Sequence, residues 1–221
     1  RRQRQMCIRD SIHAVLKKTA GSSKASASMP SFIRKRQTCI PRAFVRTSTS
    51  TAITHKLCGA QRPIHFRGVA TVVTKLFNIT QADEAFFGQK DAQQVVVVCR
   101  FVQDLNLPVH INMVPIVREE SGLARSSRNV YLSPEEKTAA LVLSRSLRLA
   151  KDAYEKGERN AAVLKALVTK EIAGEPLAAI DYVDLFSFPA LEAIETVDEK
   201  SLLALAVRIG KTRLIDNIIL G

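Results

Sequence analysis

A glycine, an amide, a cation and a carboxylate stand in a row at Gly88-Gln89-Lys90-Asp91, with two further amides at Gln93 and Gln94. The apolar run Ala85-Phe86-Phe87 before them reads as a short strand, and the residues after them read as a helix. That is the outline of a strand-loop-helix nucleotide site. Gly88 lets a ligand come close to the backbone, and a helix opening near Asp91 aims free N–H groups at an anion. Lys90 can meet phosphate as a point charge, while Asp91 can accept hydrogen bonds from sugar hydroxyls or from its own helix N-terminus. The same spacing also fits an ordinary βα turn in which Asp91 only caps the helix and Lys90 is solvated, and a short motif does not separate the two.

A second cluster lies at Gly122-Leu123-Ala124-Arg125-Ser126-Ser127-Arg128-Asn129. Two hydroxyls and two guanidiniums fall within four residues, Arg125 to Arg128, and such groups suit the non-bridging oxygens of a polyphosphate. A solvated polar loop is the plainer reading. The whole segment 118–129 lacks periodic apolar positions, and a loop of that length in a compact domain is more often functional than idle.

The elements that must carry these clusters follow from periodicity. Val69, Val72, Val73, Leu76 and Phe77 make one apolar helical face, and Ala92, Val95, Val96, Cys99 and Val102 make another. The break Asn106-Leu107-Pro108 precedes Val109 to Val117, which reads as a mostly buried strand. Helix, strand, helix, strand is the grammar of a parallel α/β sheet. Farther on, Ser133-Pro134-Glu135-Glu136 predicts a capped helix start, with the helix ending at Gly157. A helix from Asn160 to Ala173 closed by Gly174, and strands at Ile180 to Phe186, Leu202 to Val207 and Arg213 to Asp216, complete a small α/β unit.

Charge looks at first like a nucleic-acid signature: the 221 residues carry a net +12. Its location excludes that reading for the folded part. Residues 1–57 hold thirteen Lys and Arg against the single acid Asp10, and the remaining twenty cations are balanced by twenty acids. Residues 1–56, rich in Ser, Thr, Arg and Lys, have no sustained period and are expected to be disordered, as a basic leader, an organelle transit peptide or a segment foreign to the rest. No apolar run approaches the roughly 18 to 20 residues of a membrane-spanning helix. Cys7, Cys39, Cys58 and Cys99 are scattered without ligand spacing, which points to a reducing compartment and no structural zinc. A cytoplasmic location is expected, or a mitochondrial one if residues 1–56 are a transit peptide.

Taken as a set, His65-Phe66-Arg67-Gly68-Val69, Thr71 to Phe77, Phe87 to Gln94, Gly122 to Asn129 with Tyr131-Leu132, and Arg213-Leu214-Ile215-Asp216-Asn217 resemble the pantoate:β-alanine ligase family. The resemblance covers residues 57–221 in order. It implies an α/β fold, the second half of a Rossmann-like nucleotidyltransferase domain at 57–116 followed by a smaller C-terminal α/β lid domain at 117–221. It implies a ligase that joins pantoate and β-alanine through a pantoyl adenylate, with ATP and its accompanying Mg2+, and a homodimer in the complete protein. Partners would be small molecules, with no nucleic acid and no membrane.

By the same resemblance, Gly88, Gln89, Lys90 and Asp91 line the nucleotide, with Lys90 on phosphate and Asp91 on the ribose side. Gln94 hydrogen-bonds pantoate, and Val117 touches the adenine. Arg125, Ser126, Ser127 and Arg128 form a mobile phosphate loop, and Lys90, Ser126, Ser127 and Arg128 carry the chemistry. Arg62 and His65 shape the site wall. Ile64 and Arg125 depart from the family pattern, which favours a small and an apolar residue there. The family's glycine-rich loop with its His-x-x-His pair has no counterpart among His13, His55, His65 and His110. The chain as written is therefore expected to be weak or inactive alone, or else a nucleotide-binding or oligomerising remnant.

Overall fold

The computed structural model describes Leu57 and residues 65–221. The readings made for residues 1–56, for Arg62 and for Ile64 lie outside the described residues.

The first predicted helix is α1, His65–Thr80. Its buried face is Phe66, Ala70, Val73 and Phe77 together with Val69, so the stripe is rotated from the one expected, and Val72 and Leu76 fall outside the cluster. Strand β1, Glu84–Gly88, runs into a short 3-10 turn at Gln89–Asp91 and then into α2, Ala92–Asp104. Strand β2, His110–Val114, pairs parallel with β1 from Glu84↔His110 to Gly88↔Val114. Parallel neighbours need a crossover, and α2 is that crossover.

The strand expected at 109–117 is therefore shorter than its apolar run. Beyond Val114 there is no residue of β1 left to pair with, and Pro115 has no N–H to offer a ladder. Val117 emerges 57% exposed.

Helix α3, Pro134–Glu155, begins with a reciprocal capping box between Ser133 and Glu136. Helix α4, Ala161–Ala173, is capped by the Asn160 side chain on two backbone N–H groups. Strands β3 (Ala178–Ser187), β4 (Ser201–Ile209) and β5 (Thr212–Leu220) form an antiparallel sheet in that order. Central β4 explains the arrangement. Leu203, Leu205, Val207 and Ile209 face Val142, Leu143, Leu147, Leu164 and Val168 of the two helices, while Leu202 and Ala204 face the other way, onto Ala92 and Val96 of α2. A strand buried on both faces must be apolar throughout, and β4 is apolar apart from Ser201 and Arg208.

Helix α2 is likewise buried on two sides. Val97, Val98, Phe101 and Val102 pack with α1, while Ala92 and Val96 pack on the antiparallel sheet. The single stripe expected for it is thus half of the truth. Cys99 lies at intermediate exposure rather than in the core, and burial raises its thiol pKa.

Candidate functional site

The corner between β1 and α2 is built from a strand that stops and a helix that has not yet begun. Gly88 closes the strand with ordinary extended backbone, φ −72° and ψ 131°. Glycine is not required by that conformation, and a Cβ at Gly88 would meet nothing within 4 Å. The space beside it is open, as a close backbone approach by a ligand needs. Asp91 stands at the N-cap of α2 yet makes no side-chain cap hydrogen bond. The plainer reading of Asp91 as a cap is therefore not the one realised. Among the described residues no hydrogen bond or ion pair engages the Lys90 ammonium or the Asp91 carboxylate. Gln94 follows one helical turn after Lys90, partly buried.

The second cluster is a folded loop rather than a featureless one. Arg118 and Ala124 form an isolated bridge, and the Glu119 N–H donates to the Leu123 carbonyl at 2.8 Å. Gly122 turns the loop at φ +93°, where a side chain would be strained. Asn129, buried, donates its amide to Glu119 Oε1 at 2.9 Å and to the Ala124 carbonyl at 3.1 Å. Ser126 Oγ accepts the Arg128 N–H at 3.2 Å and so caps the 3-10 turn at Ser127–Tyr131. Arg125 and Ser127 are exposed, and the Arg125 N–H donates to the Val117 carbonyl at 2.9 Å. That bond ties the residue expected at the adenine to the loop expected at the phosphates.

Strand β5 holds both clusters. The Asn217 amide donates to the carbonyls of Gln89 and Lys90, each at 3.0 Å, and its Oδ1 accepts from Gln89 Nε2 at 3.2 Å. Next to it, Asp216 takes both terminal nitrogens of Arg118. Four residues back, the Arg213 carbonyl accepts from Arg128 Nη1 at 3.4 Å. Residues 213 and 217 of one strand are about 13 Å apart at roughly 3.3 Å per residue. That is the backbone spacing at which the Lys90 corner and the Ser126 loop are anchored. Arg213 itself is fixed by Asp181, Nε to Oδ2 at 2.6 Å.

Arg118, Glu119, Asn129, Asp216 and Asn217 were given no site role by the sequence, although Asn129, Asp216 and Asn217 lie in the stretches that carry the resemblance. A signal was present: Asp216-Asn217 interrupts an apolar strand, and both residues are buried. Buried polar pairs are rare unless something satisfies them. His65 opens α1 with its ring edge-on to Phe66, centroids 5.1 Å apart. No group of three or more His, Cys, Asp and Glu stands together among the described residues.

Comparison with known proteins places this geometry. A family model described as pantoate-beta-alanine ligase matches residues 24–219. Pantothenate synthetase of Pelotomaculum thermopropionicum is 60% identical over 169 residues, covering 76% of this chain and 60% of that protein. The enzyme of the same name from Clostridium acetobutylicum is 56% identical over 168 residues, with 76% and 60% covered. The chain thus spans about 60% of the length of the curated relatives it matches. Among solved structures, pantothenate synthetase from Thermus thermophilus superposes with a TM-score of 0.85 at 35% identity, covering 92% of this chain and 74% of that one. Pantoate-beta-alanine ligase from Francisella tularensis, complexed with beta-gamma ATP and beta-alanine, gives 0.58 at 30% identity, covering 80% and 58%.

Proposed function

Because the chain belongs to the pantoate-beta-alanine ligase family, we propose that it supplies the ATP- and pantoate-contacting part of an ATP-dependent ligation of pantoate with β-alanine. The observation that carries this reading is the anchoring of two cation-bearing loops on the single strand β5. In the first step a pantoate carboxylate oxygen attacks the α-phosphorus of ATP. The bond from that phosphorus to the bridging oxygen breaks, and pyrophosphate leaves. In the second step the β-alanine amine attacks the acyl carbon of pantoyl adenylate, the C–O bond to AMP breaks, and the nitrogen loses a proton to give the amide.

Negative charge develops on the α-phosphate and on the departing pyrophosphate, so fixed donors there lower the barrier. Lys90 provides one such charge beside the α2 N-terminus, where the helix dipole adds to it. Ser126, Ser127 and Arg128 provide hydroxyls and a guanidinium from the other loop. Gln89 and Gly88 line the nucleotide, Asp91 meets the ribose hydroxyls, and Val117, exposed beside Arg125, packs on the adenine. Gln94, one turn into α2, hydrogen-bonds pantoate. Arg125 adds a second guanidinium beside the triphosphate, and His65 shapes the wall. Magnesium enters as part of the nucleotide substrate, held by phosphate oxygens. On this reading residues 57–116 form the nucleotide domain and 117–221 the lid, and the complete protein is a homodimer.

Support comes from the Francisella tularensis relative, solved with beta-gamma ATP and beta-alanine, and from the open space beside Gly88. The deciding experiment is ATP-dependent pantothenate formation by the purified chain, with calorimetric titration of ATP into wild type and Lys90→Ala. A loss of about tenfold or more in ATP affinity, about 1.4 kcal/mol, is the expected result for the variant. An affinity that does not change removes Lys90 from the site. Turnover, or its absence beside intact ATP binding, separates a self-sufficient ligase from a nucleotide-binding remnant.

A further inference from the structure

We propose that Asn217 is a positioning residue that sets Lys90 for the triphosphate, an inference that rests on the ATP reading above. Its side chain makes three hydrogen bonds, and all three go to Gln89 and Lys90. The orientation of the amide follows from its partners. Two backbone carbonyls can only accept, so the nitrogen faces them and the oxygen is left for Gln89 Nε2.

Among the described residues, no side-chain cap from the corner's own elements adds to the backbone bonds of its 3-10 turn. Gly88 offers no side chain, and Asp91 makes no cap hydrogen bond. What fixes the Lys90 backbone from outside is a residue 127 positions later in the chain. Asn217 is held from behind in turn, since its backbone N–H donates to Asp216 Oδ1 at 2.8 Å and Asp216 is gripped by Arg118. A flexible four-carbon ammonium delivers its charge to one place only if the backbone it springs from is fixed.

Packing gives no competing reason for an amide here. Position 217 is 3% exposed in a strand whose neighbours Ile215, Ile218 and Ile219 are aliphatic, and a buried amide is unfavourable unless satisfied. Its register partner on β4 is Ala204, whose small side chain lies in the cluster with Ala92 at the start of α2. Directly paired residues share a sheet face, so Asn217 sits on the side where α2 begins.

The test is a double-mutant cycle on ATP affinity with wild type, Lys90→Ala, Asn217→Ala and the double variant, read alongside amide exchange at residues 89–93. Acting through Lys90, Asn217→Ala weakens ATP binding about tenfold when Lys90 is present and by less than about twofold when it is absent. Exchange at 89–93 accelerates while α3 stays protected. Should Asn217→Ala fail to fold, Asn217→Asp keeps the volume, turns an oxygen toward the two carbonyls, and is expected to give the same pattern. Equal losses in both Lys90 backgrounds, or unchanged exchange at the corner, overturn the positioning role and leave the ATP reading standing. An unchanged affinity in Lys90→Ala alone removes Lys90 from the site and overturns its positioning by Asn217, whereas a wild-type chain that binds no ATP overturns the ATP reading itself.

Discussion

Arg118 grips Asp216 with both terminal nitrogens, at 2.7 and 3.0 Å, across ninety-eight positions of chain. The two ends of the pair differ. Asp216 is 2% exposed and Arg118 32%, so the acid would be stranded by loss of its partner and the base would not. Removing one member of a buried pair costs about 3–5 kcal/mol because the other charge stays behind. Arg118→Ala is therefore expected to lower unfolding stability by about 3 kcal/mol. Asp216→Ala should lower it by less, since the freed guanidinium can reach water. Urea denaturation of both variants checks the order, and a larger loss in Asp216→Ala would reverse the assignment of which charge is trapped.

Gly88 offers a substitution in which stability and binding should move apart. Its φ of −72° suits any residue, and a Cβ there meets open space. Gly88→Ala should leave thermal stability unchanged or raise it by about 0.4–1 kcal/mol, through a less flexible unfolded chain. The same methyl occupies the approach that the nucleotide needs, so ATP affinity should fall by about tenfold. Differential scanning calorimetry with an ATP titration measures both. A variant that binds ATP as the wild type does would show that the space beside Gly88 is not where the nucleotide lies.

Local chemistry was what the sequence made legible. Ser133-Pro134-Glu135-Glu136 announced a helix start, and the reciprocal bonds are present. Gly88 to Asp91 announced a break between strand and helix, and a 3-10 turn stands there. The parallel pairing of β1 with β2 followed from a helical crossover of suitable length. Long-range choices were not legible. Which face of α1 is buried depends on α2, and α2 is buried on two faces because the antiparallel sheet packs on one of them. Arg118 is one polar residue in a polar loop until β5 is brought to it. The end of β2 at Val114 coincides with its partner running out, and within Val109 to Val117 only Pro115, with no N–H for a ladder, marks it.

Ala204 joins these two levels. It is 6% exposed on the face of β4 that meets Ala92 and Val96, and it pairs directly with Asn217. A small residue at that point lets the start of α2 come down onto the sheet, close enough for the Asn217 amide to reach the Gln89 and Lys90 carbonyls. Ala204→Leu adds three carbons to a filled interface, and overpacking of that kind costs about 1–3 kcal/mol. The displacement falls at Ala92, close behind Lys90 in the chain, so ATP affinity should fall together with stability. Ala140→Leu is the matched comparison, since Ala140 is fully buried between α3 and its neighbours in the other core cluster. It should lose similar stability, by urea denaturation, while its calorimetric ATP affinity below the unfolding transition stays at the wild-type value. If both variants lose affinity alike, the nucleotide corner responds to the stability of the whole fold. If only Ala204→Leu does, its position is set by the contact between α2 and β4.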